Sequence, residues 1–134
     1  MPIQWDISHS VNVKEIDEQH QRFIEILNKL YELISHNAEQ KELKNILDEL
    51  VAYADLHFKT EEKYFDKFNY ENSDEHKAEH KKLKEQVVDF YKKYEEGKTE
   101  ISVGLLDFLE DWLVDHLDVQ DKKYVECFNK NGLF

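Results

Sequence analysis

The sequence predicts an all-α fold, an up-down-up-down four-helix bundle with an extended N-terminal arm and a short C-terminal helix. Three observations predict it. Apolar residues recur at helical spacing in four separate stretches. Only three Gly and one Pro interrupt the 134 residues, so sheet turns are scarce. Hydrophobic residues make up 40% of the chain, eight Phe and seven Tyr among them, enough for the core of one domain over residues 1–134.

Each element has its own signal. In the arm, residues 1–16, Trp5 and then Ile7, Val11 and Val13 stand in loose alternation, which suits an extended strap. The first helix, about 18–36, follows Asp17 as its N-cap and places His20, Phe23, Ile24, Leu27, Leu30, Tyr31 and Ile34 on one stripe. The second, about 40–66, carries Leu43, Ile46, Leu47, Leu50, Tyr53, Ala54, His57, Phe58, Glu61, Tyr64 and Phe65. After the break "NYENS", Ser73 caps a third helix over about 73–96, with His76, His80, Leu83, Val87, Phe90 and Tyr94 inward, and Gly97 ends it. The fourth, about 101–117, holds Ile101, Leu105, Phe108, Leu109, Trp112, Leu113 and His116, and "DKKYVECFNK" forms a tail helix over about 121–130.

Charge narrows the partners. Thirty acids against eighteen bases give a net charge of −12, which repels phosphate backbones and anionic lipid, so neither nucleic acid nor a membrane is an expected partner. No apolar run is long enough to span a bilayer, and the expected setting is cytoplasmic. Cys127 is the only cysteine, which leaves no disulfide and no thiolate cluster; it reads as packing. With no apolar stripe left to cover, the expected state is a monomer.

Polar residues break the inner pattern in particular places. His20, His57, Glu61, His76, His80 and His116 all fall on the apolar line of their helices. Residues i and i+4 share a face, so His57/Glu61 and His76/His80 are same-side pairs. One such pair is common in a charged sequence, and a single inward His is more often a core residue than a ligand. Topology raises the odds. His20 and His76/His80 open the first and third helices, while His57/Glu61 and His116 close the second and fourth. In an up-down-up-down bundle those ends coincide, so all six converge in one layer, where a buried Glu needs a cation. Asp121 stands five residues after His116, about 140° off the stripe of a continuing α-helix. It reaches the layer only if the helix ends or tightens around "LDVQ". His9 and His36 lie off every stripe and read as surface residues.

Five imidazoles and two carboxylates exceed what one zinc ion takes and suit two transition-metal ions, with iron the best fit to an imidazole and carboxylate set lacking thiolate. With both carboxylates bridging and a bridging oxide or hydroxide, one coordination position stays open. Phe23, Phe58, Trp112 and Leu113 are the nearest candidates for an apolar dioxygen pocket, and the same residues would equally fill an ordinary core.

At these residues the sequence resembles the hemerythrins. "IDEQH" (16–20), "HFKTE" (57–61), "HKAEH" (76–80) and "HLDVQD" (116–121) stand in family order and spacing, with "QWD" in the arm and "DWLVDHL" before the last motif. The likeness covers essentially the whole chain, and its length and loops are similar to the single-domain bacteriohemerythrins. The resemblance implies a non-haem di-iron centre that binds dioxygen reversibly. It places His76, His80 and His116 on one iron, His20 and His57 on the other, Glu61 and Asp121 as bridges, and dioxygen at the two-histidine iron. Ferritin-like oxidases use more carboxylates, at i,i+3 spacing, so binding is expected rather than enzymatic turnover. A di-iron oxidase or peroxidase, or a sensor acting through a separate partner, remains the alternative.

Overall fold

The computed structural model describes residues 4–134, so the first three residues of the predicted arm lie outside the described residues. Five α-helices follow one another: α1 (Lys14–Ser35), α2 (Gln40–Phe68), α3 (Ser73–Glu95), α4 (Val103–Asp115) and α5 (Val125–Lys130). The first four form the antiparallel bundle, with no strand among the described residues. α1 packs on both α2 and α4, and α3 packs on α2. The turns are closed by left-handed residues where helices stop: Asn37 (φ 57°), Asn69 (φ 52°) and Gly97 (φ 73°). At Asn69 this lets the Tyr70 N–H bond back to the Phe65 carbonyl at 3.0 Å, which satisfies one of the last orphan carbonyls of α2.

Several boundaries differ from the sequence reading, each for a local reason. α1 begins at Lys14 rather than after Asp17. Asp17 is no N-cap: its carboxylate accepts from the Ser10 hydroxyl and from the Val11 N–H at 2.8 Å, tying the arm to the first turn. At α3 the cap position falls on Asn72, and Ser73 is the first helical residue. α4 starts at Val103, after a Ser102 side-chain cap on the Leu105 N–H, and Ile101 is buried ahead of it. There the Gln40 side chain bonds both the Ile101 carbonyl (3.0 Å) and N–H (2.9 Å), which fastens the start of α2 to the loop. The arm is not wholly extended, since Ile7–His9 make one 3-10 turn capped by Asp6. Within its predicted alternation Val11 and Val13 are fully buried, whereas Ile7 points to solvent. The predicted tail helix is a 3-10 turn, Asp121–Tyr124, leading into α5.

Two apolar clusters hold the molecule together. The larger fills the bundle, with Phe23, Leu27, Leu30, Leu50, Phe58 and Leu113 at its centre. The smaller joins the arm to the tail through Val11, Val13, Ile16, Phe65, Tyr124 and Phe128. Burying each large side chain contributes about 1.5–3 kcal/mol before entropy is counted. Along α1 the order is Ile16, His20, Phe23, and along α2 it is Phe58, Glu61, Phe65. The polar residues thus occupy a layer sandwiched between the two clusters. No helix among the described residues is long and apolar enough to cross a membrane.

The arm's attachment is testable. Because the Val11 N–H bond ends on a charged carboxylate, Asp17→Ala should lower unfolding free energy by about 2 kcal/mol in denaturant titrations. Asp17→Asn, which keeps an acceptor, should lose less. Equal losses would mean that the carboxylate's charge is not what holds the arm.

Candidate metal centre

All seven residues singled out in the sequence meet in the sandwiched layer. His20, His57, Glu61, His76, His80, His116 and Asp121 are each 0–2% exposed. Every imidazole turns its Nε2 inward. Glu61 Oε1 lies 3.2 Å from Nε2 of His57, His80 and His116. Asp121 lies on the other side, its Oδ2 2.8 Å from His20 Nε2 and 3.1 Å from His116 Nε2, its Oδ1 3.0 Å from His76 Nε2. Two groups of potential ligands result, His20–His57–Glu61–His116–Asp121 and Glu61–His76–His80–His116, with donor atoms within 4.8 Å of one another. Glu61 and His116 belong to both, and Asp121 also reaches His76, so the carboxylates sit between the two sets of imidazoles.

The donor set suits cations on its own chemistry. Glu61 Oε2, both Asp121 oxygens, and Nε2 of His76 and His80 are buried and make no hydrogen bond, although they stand close together. Buried polar atoms of this kind are costly unless something else satisfies them. No Lys or Arg is buried among the described residues to balance the two carboxylates. Burial, together with the Glu61 charge, pushes the Asp121 carboxyl well above its usual range. For Glu61 burial acts upward too, but His57 and His116 outweigh it and hold the carboxyl low. Burial lowers His20 strongly, with His57 adding to the effect, and takes His76 down to about 3 and His116 to about 4. His20, His76 and His116 are therefore neutral at pH 7, the form that ligates metal.

Asp121 arrives by a route the sequence reading had reversed. Around "LDVQ" the winding does not tighten but widens, and it tightens into the 3-10 turn only from Asp121. His116–Gln120 form a π turn, and the Asp121 N–H bonds to the His116 carbonyl five residues back. In that winding residue i+5 returns to the face of residue i, so the carboxylate lies beside the imidazole it follows. Such single π turns recur at functional sites. Asp118, on the outer side of this turn, accepts from His9 at 2.8 Å, and Lys122 Nζ donates to the Ser8 carbonyl. His9 is thus a half-buried clasp on the turn, not a free surface residue, whereas His36 is exposed.

Around the ligands stand residues the sequence reading missed. His57 Nδ1 is 2.8 Å from Gln19 Oε1, and His80 Nδ1 is 2.9 Å from Glu62 Oε2. Both partners neighbour a ligand in the chain, but the bonds cross between helices, so no spacing within one helix reveals them. Of the four predicted pocket residues, Phe23, Phe58 and Leu113 are buried and Trp112 partly so. Phe58 stacks on His80 with ring centroids 4.0 Å apart, and Trp112 stacks on His116 at 4.6 Å. Phe23 and Phe58 also border an apolar cavity of about 450 Å³ between α2, α3 and α4, whose walls include Leu50, Leu83 and Leu109 but neither Trp112 nor Leu113.

Comparison with known proteins agrees with this geometry. A family model described as the hemerythrin HHE cation-binding domain matches residues 11–128. A bacteriohemerythrin of Methylococcus capsulatus is 36% identical over 118 residues, covering 88% of this chain and 89% of that one. A hemerythrin-like protein of Naegleria gruberi is 31% identical over 92% of this chain and 91% of its own. A crystal structure of wild-type hemerythrin superposes with a TM-score of 0.89 at 34% identity, covering 95% of this chain and 98% of that one. With a matching family model over most of its length, a buried His, Glu and Asp metal-binding cluster and a four-helix bundle around it, this chain belongs to the hemerythrin family.

Proposed function

We propose that the protein binds dioxygen reversibly at a non-haem di-iron centre, for storage, transport or delivery, and is not an enzyme. The observation that carries the reading is the donor set itself: five buried imidazoles with only two carboxylates. His76, His80 and His116 would hold one iron, His20 and His57 the other, and Glu61 and Asp121 would bridge them. Ferrous ions held there would supply the electrons that binding of dioxygen needs.

The chain's own residues favour binding over turnover. Few anionic ligands leave the ferrous state accessible, since each carboxylate favours the more highly charged ion. Phe58 and Trp112 lie flat against ligand rings and, with Leu113, keep the layer dry. Beside the seven ligands the one further titratable group buried against the layer, among the described residues, is the Tyr124 hydroxyl, which burial and the Asp121 and Glu61 charges hold protonated, well above its usual range. The reading also takes the chain as a monomer.

Iron-loaded protein should contain about two irons per chain. Reduced without air, exposed to dioxygen and then purged, it should return to its reduced optical spectrum over repeated cycles. Irreversible oxidation with peroxide release in the first cycle would favour an oxidase or redox sensor, and a single zinc stable to reductant would exclude the di-iron pair. Glu61→Ala should cut iron content to about one per chain or less, whereas His36→Ala should leave it unchanged.

A pH prediction follows from the lowered imidazoles. In the metal-free protein His76 and His116 bind protons only near pH 3 and 4, whereas in the unfolded chain they do so near 6.5. For these two groups the unfolded state holds more protons between those values, so their contribution to stability is full above about pH 6.5 and declines as pH falls toward 4. The single raised carboxyl of Asp121 works in the opposite sense and offsets part of it. Thermal denaturation of metal-free protein should show a falling Tm across that window, and a flat Tm would contradict it.

A further inference from the structure

We infer that Glu62 and Gln19 make the two halves of the centre electronically unequal, Glu62 acting through His80 and Gln19 through His57; this deepens the di-iron reading and rests on it. With Nε2 turned to the centre, each ring carries its proton on Nδ1 and donates it outward. His80 donates to a carboxylate, Glu62 Oε2, at 2.9 Å, and His57 donates to an amide oxygen, Gln19 Oε1, at 2.8 Å. A carboxylate draws the proton toward itself and leaves negative charge on the ring, which strengthens Nε2 as a donor; a neutral amide does so far less.

The amide cannot present its other end. Gln19 Nε2 donates to the Thr60 hydroxyl at 3.1 Å, and that hydroxyl donates to the Leu56 carbonyl at 3.0 Å. This relay fixes the Gln19 oxygen toward His57. The Nδ1 atoms of His20 and His116 have no hydrogen-bond partner, so neither ring carries an anionic acceptor of its own. Glu62 therefore places a negative charge behind the His76–His80–His116 half, while the His20–His57 half has a neutral partner. The first half holds ferric iron more firmly, and the second accepts an electron first. Glu62 and Gln19 are positioning residues: neither faces the metal positions, and each acts through a ligand ring.

The test is an anaerobic titration of iron-loaded protein with dithionite, following the mixed-valent state by electron paramagnetic resonance to obtain two midpoint potentials. Glu62→Gln keeps an acceptor while removing the charge, and Gln19→Glu adds a charge to the other half. Each should change the ferric-to-ferrous affinity ratio of its own iron by about tenfold, ~59 mV for one electron. Both changes should narrow the separation between the midpoints, the first by raising the lower one, the second by lowering the higher one. Two irons per chain with a separation unchanged or widened in both variants overturns the inference and leaves the di-iron reading intact. A wild-type chain that takes up no iron overturns both.

Discussion

Two carboxylates and five imidazoles are buried in one layer with no basic side chain among them, and the rest of the molecule is arranged around that fact. Without cations, Glu61 and Asp121 cannot both ionise cheaply, because burial and their mutual repulsion push Asp121 toward its neutral form. Positive charge at the centre removes that repulsion and gives the unpartnered oxygens and nitrogens something to bind. The two apolar clusters above and below then serve a second purpose. By excluding water they hold His20, His76 and His116 in the neutral form, which is what a metal requires.

The layer also explains why the arm and tail matter. The bundle alone would leave the ends of α1, α2 and α4 open on the side of the ligands. Val11, Val13 and Ile16 from the arm, with Tyr124 and Phe128 from the tail, close that side against Phe65. Asp17 and His9 hold the arm in place from two directions, one on α1 and one on the π turn. The cap is a small structure, but it decides whether His20 and Asp121 are wet or dry.

Much of this could be read from spacing. His57/Glu61 and His76/His80 declare themselves because i,i+4 pairs on an apolar stripe have no packing use, and bundle topology alone brings them to His20 and His116. Asp121 could not be read that way. Its approach depends on a change of helical winding that side-chain periodicity does not encode, and the likeness of "HLDVQD" to a family motif was the stronger signal. Asp17 looked like a helix cap because acids at helix starts usually are; the arm offered it a competing donor. Gln19 and Glu62 were invisible for a different reason, since each meets its histidine across a helix pair and polar residues beside ligands look like solvated surface. Ile101 entered the core from a loop because Gln40 satisfies its backbone there.

The π turn can also be regarded as one surplus residue. Removing a solvent-facing position such as Val119 would set the Asp121 carboxylate four places after His116, where plain α winding puts it on the same face. The chain downstream would keep its register. The same turn also carries Asp118 on its outer side, where it reaches the arm through His9. The N-terminal clasp at Asp118 and the carboxylate of Asp121 thus hang on one short stretch of backbone, His116–Asp121.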